Sequence, residues 1–235
     1  MFLEKYCQND NQKISFTRQQ ASSFAKKVAD DFNPLHDIDA KRFCVPGDLL
    51  FALILEKSGL SQNMTFTFSG MVNDGIALNF PGTINEKAHI TDDNGKEYLS
   101  VEVSGETSQD SNTITALTKA YVEFSGQTFP HILVDLMERE QMMINPTRPM
   151  IMYESMSIHL DSLAFTEVKL ELAKTTLSID GKRGVADLIF NLVADNKIIG
   201  NGKKHMLLSG LRPYEQEVID EIIALYNDKK AAFLL

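Results

Sequence analysis

A carboxylate and an imidazole flank an Asn-Pro dipeptide in the run Asp31-Phe32-Asn33-Pro34-Leu35-His36. Pro34 disfavours helical geometry at Asn33, so the two ionisable residues lie either side of an enforced turn. A carboxylate beside an imidazole can act on water. One group draws a proton while the other orients the molecule or supplies a proton to a neighbouring carbon, and such help is worth roughly 10²–10⁴ in rate. Further on, Pro46-Gly47-Asp48 precedes an unbroken apolar run, Leu49 to Leu55. Proline at a helix start, an acidic residue in the first turn and Gly59 as a stop predict a helix here. Its first amides, those of Gly47 and Asp48, would point at developing negative charge.

Other chemistries have less behind them. His89, His131, His159 and His205 are scattered and form no metal-binding spacing, so no metal is expected. There is no G-x-S-x-G, Walker loop or strand-linked G-x-G-x-x-G, and Gly200-Asn201-Gly202 reads as a bend in a sheet. Cys7 and Cys44 make no disulfide framework or C-x-x-C motif. Cys44 reads as a buried structural thiol rather than a nucleophile. Lys26-Lys27, Lys41-Arg42 and Lys203-Lys204 are the basic clusters, and each reads as solvated surface. With 23 basic against 32 acidic residues the net charge is −9, which speaks against a nucleic-acid partner. The start has no apolar segment long enough for a signal peptide, and no apolar run approaches the ~20 residues of a membrane helix. A cytoplasmic protein without a membrane partner is expected.

The candidate pair needs elements to hold it. Thr17-Arg18-Gln19-Gln20 has the form of a capping box, and Ala21, Phe24, Ala25 and Val28 follow at helical spacing, predicting an amphipathic helix that ends before Pro34. The helix over Leu49–Leu55 has no polar face and must be enclosed. Strands with period-two alternation follow at Met64–Phe68, at Leu99, Val101 and Val103, and at Ile114, Ala116, Thr118, Ala120, Val122 and Phe124. Asp92-Asp93-Asn94-Gly95 and Gln109-Asp110-Ser111-Asn112 have hairpin-turn composition. The plan then recurs without residue-level repetition: a helix from Pro130 to Met143, and strands near 150–160, 168–179, 184–194 and 198–208, with hairpins at Asp180-Gly181 and Asp195-Asn196. Pro213 opens a last helix with a stripe of Val218, Ile219, Ile222, Ile223 and Tyr226. A boundary near Ser125-Gly126-Gln127 divides the chain into domains of 1–126 and 127–235.

Residues 24 to 36, with Asp31-Phe32-Asn33-Pro34-Leu35-His36 at their centre, resemble the hydratase motif of the MaoC-like (R)-specific enoyl-CoA hydratases, and the resemblance covers about residues 15–60. The whole chain also resembles an uncharacterised bacterial family known only as a domain of unknown function. The hydratase resemblance implies a hotdog fold, in which an antiparallel sheet wraps one long helix. The expected class is therefore α+β, a double hotdog, each half a long central helix wrapped by a curved antiparallel sheet. A homodimer of such units is compatible with that plan.

The resemblance also implies roles. Asp31 and His36 would hold a water and add it across the double bond of an enoyl thioester, on coenzyme A or an acyl carrier protein. Asn33, Gly47 and Asp48 would serve substrate binding, the helix amides would polarise the thioester carbonyl, the apolar helix would wall an acyl tunnel, and no cofactor is called for. Three departures stand out. The interval from His36 to Gly47 is shorter than in the hydratases, Asp48 replaces an apolar residue and would repel an oxyanion if it faced one, and the accessory serine has no confident match. Two other readings stay open. One is thioester hydrolysis with Asp48 or Glu56 as the acidic residue, and the other is an acyl-thioester binding module without turnover.

Overall fold

The structure is a computed structural model that describes residues 2–10 and 13–234. Strands β1 (Gln8–Asp10) and β2 (Lys13–Ser15) lead into helix α1 (Arg18–Lys27), and after a long loop comes α2 (Gly47–Ser58). Strands β3 (Leu60–Phe68), β4 (Leu78–Asn79), β5 (Lys87–Thr91) and β6 (Glu97–Ser108) follow. Helices α3 (Ser111–Gly126) and α4 (Leu133–Arg139) then precede the short β7 (Met142–Met143). The chain finishes with β8 (Met150–Leu160), β9 (Lys169–Asp180), β10 (Arg183–Ala194), β11 (Lys197–Ser209), β12 (Arg212–Pro213) and helix α5 (Gln216–Leu234).

Among the described residues the strands form a ten-stranded antiparallel sheet, in the order β1-β2-β4-β5-β6-β3-β8-β11-β10-β9, and a small pair, β12-β7. The pairing of β3 with β8, Met64 opposite Ile158, joins the strands of the first half to those of the second. The protein is thus α+β: helices against one large antiparallel sheet. Of the predicted hairpins, those at Asp92–Gly95, at Asp180-Gly181 and at Asp195-Asn196 form, the last with φ values of 49° and 59° that suit short side chains tolerating the left-handed region, whereas Gln109–Asn112 instead leads into a helix capped by Asp110. The predicted bend at Gly200 coincides with a register shift between β10 and β11.

Helix α1 begins as its residues require, with Thr17 and Gln20 exchanging both capping-box bonds. Helix α2 begins at Gly47 and stops at Gly59, whose φ of 89° is a conformation that glycine adopts without penalty. Leu49 through Leu55 are all at 2% exposure or less. Each leucine, isoleucine and phenylalanine of this run contributes about 1.5–3 kcal/mol by leaving water. The larger core surrounds α2 and α3 and takes side chains from β3, β5, β6, β8 and β10, while a smaller one lies around α4 and α5.

Three sequence expectations are corrected. Residues 111–126 are a helix, not a strand: Asp110 caps Asn112 N and Thr113 N, and the buried positions Thr113, Ile114, Leu117, Thr118, Tyr121, Val122 and Ser125 have helical spacing. Ile114, Thr118 and Val122 satisfy both periods, and Leu117 and Tyr121 decide between them. The helix predicted over 130–143 is regular only over Leu133–Arg139, because the chain kinks at Phe129, which is extended (φ −121°, ψ 134°) before a cis peptide to Pro130. Lastly, Pro213 pairs in β12 and α5 starts at Gln216.

Candidate functional site

The turn after α1 sets Asp31. Asp30 takes a positive φ of 53°, the chain reverses, and the Asp31 amide donates to Ala25 O at 2.9 Å. Two side-chain turns then build the loop. Asp31 Oδ1 accepts from Asn33 N at 2.8 Å, and Asn33 Oδ1 accepts from Leu35 N at 3.0 Å. A single 3-10 turn, Pro34–His36, follows. His36 Nδ1 donates to the carbonyl of Cys44 at 2.7 Å. A carbonyl can only accept, so Nδ1 carries a proton, and in the neutral imidazole the lone pair is on Nε2.

That lone pair faces the carboxylate. His36 Nε2 and Asp31 Oδ2 are 3.6 Å apart, with side-chain exposures of 12% and 21%. The gap is longer than a direct hydrogen bond and lets one water touch both atoms. Cys44, next to the imidazole's anchor, has its thiol pushed up to about 11 by burial, so it is no thiolate nucleophile at neutral pH.

Gly47 opens α2 under two rings: a Cβ there would come within 3.1 Å of Phe68 Cε1 and 3.3 Å of Tyr153 Cδ1. Its amide and that of Asp48 have no intrahelical carbonyl to bond. The Asp48 carboxyl is buried, at 7% exposure, and its Oδ1 has no hydrogen-bond partner. Burial pushes this acid up, the Lys204 cation and a bond from Ser125 pull it down, and the Asp31 charge adds a smaller upward push.

Lys204 is the residue that sequence reasoning missed. Read as solvated surface with Lys203, it is in fact 5% exposed, while Lys203 faces out and pairs with Asp187 at 2.9 Å. Adjacent residues of a strand point to opposite faces. The alternation Gly202, Lys204, Met206, Leu208 along β11 was the available signal. Lys204 Nζ donates to Ser125 Oγ at 2.7 Å, Thr128 Oγ1 at 3.1 Å and Ser125 O at 3.3 Å, and lies 4.6 Å from the Tyr153 ring centre. Burial lowers its proton affinity, and Asp48 and then Asp31 raise it. Beside this cluster the hydroxyls of Tyr121 and Tyr153 bond to each other.

Helix α5 straps the loop from outside. Tyr226 Oη donates to Asp30 O at 3.1 Å and accepts from Phe32 N at 3.4 Å. Asp37 binds Lys26 Nζ at 2.8 Å and Lys229 Nζ at 2.5 Å, and Lys230 pairs with Asp30. Burial alone would raise Asp37, but the two ammonium groups hold it below the usual carboxylate range.

Surface cavities among the described residues include one of about 510 Å³ and one of about 300 Å³. The first lies over the sheet at Asn63, Glu86, Lys87 and Glu102, and the second between α2 and α3. Neither is lined by Asp31, His36, Gly47 or Asp48, and the α2 side chains expected to wall an acyl tunnel are closely packed. No helix of the described residues is long and apolar enough to cross a membrane.

A family model described as "Protein of unknown function (DUF3581)" matches residues 1–217. The chain belongs to DUF3581. No curated protein matches this DUF3581 chain in sequence. Solved structures do match it. One is a conserved protein of unknown function with hot dog fold from Alicyclobacillus acidocaldarius, at 8% identity and TM-score 0.47, covering 91% of this chain and 99% of that one. Another is an acyl-CoA thioesterase II from Mycobacterium marinum, at 8% identity and TM-score 0.46, covering 92% of this chain and 100% of that one.

Proposed function

We propose that this DUF3581 protein is a double hotdog, with domains of 1–126 and 127–235, that adds water to a short trans-2-enoyl thioester, or removes it from the (R)-3-hydroxyacyl thioester, at Asp31 and His36. The observation that carries this reading is the 3.6 Å approach of His36 Nε2 to Asp31 Oδ2, with Nδ1 anchored on Cys44 O. A water between them donates one hydrogen to each. As its oxygen bonds the β-carbon, Nε2 takes one proton and returns it to the α-carbon, so the product gains one water and no charge. Asp31 holds the other hydrogen and steadies the imidazolium. The amides of Gly47 and Asp48 take the thioester oxygen, with Asn33 keeping the loop in shape around the substrate. Close packing along α2 favours short acyl chains. The test is loss of enoyl absorbance from crotonyl-CoA. The protein is expected to catalyse it, and Asp31→Asn and His36→Ala to abolish it; no turnover by the parent protein on short- or medium-chain enoyl thioesters counts against hydration.

A second reading, thioester binding without turnover, is favoured by the unpartnered Asp48 Oδ1 at the head of α2. An ionised Asp48 there would oppose a developing oxyanion. Thermal stabilisation by acyl-CoA without absorbance change is its signature. Hydrolysis at Asp48 or Glu56 would instead release a free thiol.

A further inference from the structure

Two peptide groups flank Asp31, and one side chain holds both. Tyr226 Oη donates to the carbonyl of Asp30 at 3.1 Å and accepts from the amide of Phe32 at 3.4 Å, across 196 and 194 residues of sequence. A planar peptide leaves φ and ψ as the only soft backbone torsions of a residue. Holding the planes before and after Asp31 therefore fixes both of its torsions, and with them the direction in which its side chain leaves the backbone. Asp31 Oδ1 is bonded to Asn33 N at 2.8 Å, which leaves Oδ2, the atom 3.6 Å from His36 Nε2, little freedom to turn away.

The rest of the hold comes from the same face of α5. Tyr226, Lys229, Lys230 and Phe233 follow at i, i+3, i+4 and i+7 over its last two turns. Lys230 pairs with the Asp30 carboxylate, and Lys229 Nζ meets Asp37 Oδ2 at 2.5 Å. Phe233 meets Phe32 edge to face, with ring centres 5.6 Å apart. The two ion pairs thus fall on the residues just outside the Asp31–His36 segment. Asp30 requires support, because its φ of 53° lies where a residue with a Cβ pays a steric penalty. The Tyr226 ring is itself wedged between Phe32 and Phe129, with ring centres 5.9 and 5.8 Å away, so its hydroxyl has a fixed origin. Burial pushes that hydroxyl up to about 12 against the pull of the Phe32 amide, and Tyr226 keeps its proton and donates at any working pH.

We propose that Tyr226 is a positioning residue for the pair, keeping Asp31 Oδ2 turned towards His36 Nε2 from the far end of the chain. It acts through Asp31 and not on the water itself. The catalytic consequence rests on the hydration reading, whereas the hold on the loop stands on geometry alone.

The test uses the full chain and Tyr226→Phe, which keeps the ring in its packing and removes the hydroxyl. Backbone order parameters from nitrogen-15 relaxation are read at Asn33 and Leu35, whose amides bond Asp31 Oδ1 and Asn33 Oδ1. Both are expected to fall from about 0.85 towards about 0.6, with those of α2 and β3 unchanged. Lys229→Met/Lys230→Met should lower the same two values by less, because each ammonium is about one-third exposed and screened. Crotonyl-CoA hydration by Tyr226→Phe should lose roughly tenfold in kcat with KM unchanged, since the thioester is held by the α2 amides. Tyr214→Phe, which removes a hydroxyl bonded to Gln216 ahead of α5, should alter neither readout. A merely structural tyrosine would lower stability without moving the Asn33 and Leu35 order parameters, and that result overturns the proposal. So does a loosened loop with kcat unchanged. A parent protein without turnover ends the hydration reading instead, and the order parameters then decide by themselves whether Tyr226 holds Asp31.

Discussion

Two helical segments each precede a run of strands, α2 before β3–β6 and α3–α4 before β8–β11, yet the helices differ. In the first half α2 is a single unbroken helix with Asp48 as its only buried charge. In the second, the helical segment is interrupted at Phe129–Pro130 and the sheet behind it projects a buried Lys204. The first half has a polar loop with an acid and an imidazole and no cation at the helix head; the second has the cation and no such loop. Asp48, carried by α2, is therefore offset by the Lys204 charge on β11 and by the Ser125 hydroxyl on α3. An unsupported carboxylate in an apolar core would simply be protonated or would unfold the helix start. A division of labour between halves lets such a group persist.

This contrast can be broken in order of expected effect. If chemistry belongs to the first half, Asp31→Asn or His36→Ala lowers crotonyl-CoA hydration by about 10²–10⁴-fold. His205→Ala, in the outward Asp187–His205–Glu154 group of the second half, should leave the rate as it was. Equal losses in both would erase the distinction.

The next effect is on stability. Lys204→Met strips Asp48 of its cation and leaves Ser125 and Thr128 without their donor, and should cost about 3–5 kcal/mol in urea unfolding. The double variant Asp48→Asn/Lys204→Met should recover part of that loss. A cost no larger than for an exposed lysine would mean the halves do not share the charge.

A pH series sharpens the point. The Asp48 carboxyl is raised in the folded state from 3.8, so the stability tied to it is full below that pH and lost as pH rises through the raised value. Asp48→Asn should therefore gain on the parent as pH climbs from about 4 towards neutrality. Asp37 is shifted the other way, held down from 3.8, so its contribution is present above that pH and fades on acidification. Asp37→Asn should lose stability relative to the parent at neutral pH, with the gap closing in acid. The smallest effect is expected for Tyr226→Phe, which removes the bonds from α5 to Asp30 O and Phe32 N and should cost about 1 kcal/mol in thermal or urea unfolding.

Much of the plan was legible along the chain. The capping box at Thr17, the α2 boundaries at Pro46 and Gly59, the turn at Asn33–Pro34 and the four long strands β8–β11 each follow from residues within a few positions of one another. Capping, proline sterics and two-residue alternation are local forces, and local sequence records them. Segment 111–126 was ambiguous because alternate apolar residues also serve a helix, and the choice depended on burial of Leu117 and Tyr121 between α2 and the sheet.

The pair at Asp31 and His36 could be named from spacing, because a proline turn brings residues five apart together. Their 3.6 Å separation could not, since it rests on Cys44 O holding the imidazole and Asp30 reversing the chain. Lys204 lies far along the chain from Asp48, and nothing near either residue announces the other. Their shared environment exists because β3 pairs with β8 and α2 packs on α3, contacts made by chain closure over long separations. Solvation and charge depend on what surrounds a residue in space, and that is set once the sheet has closed.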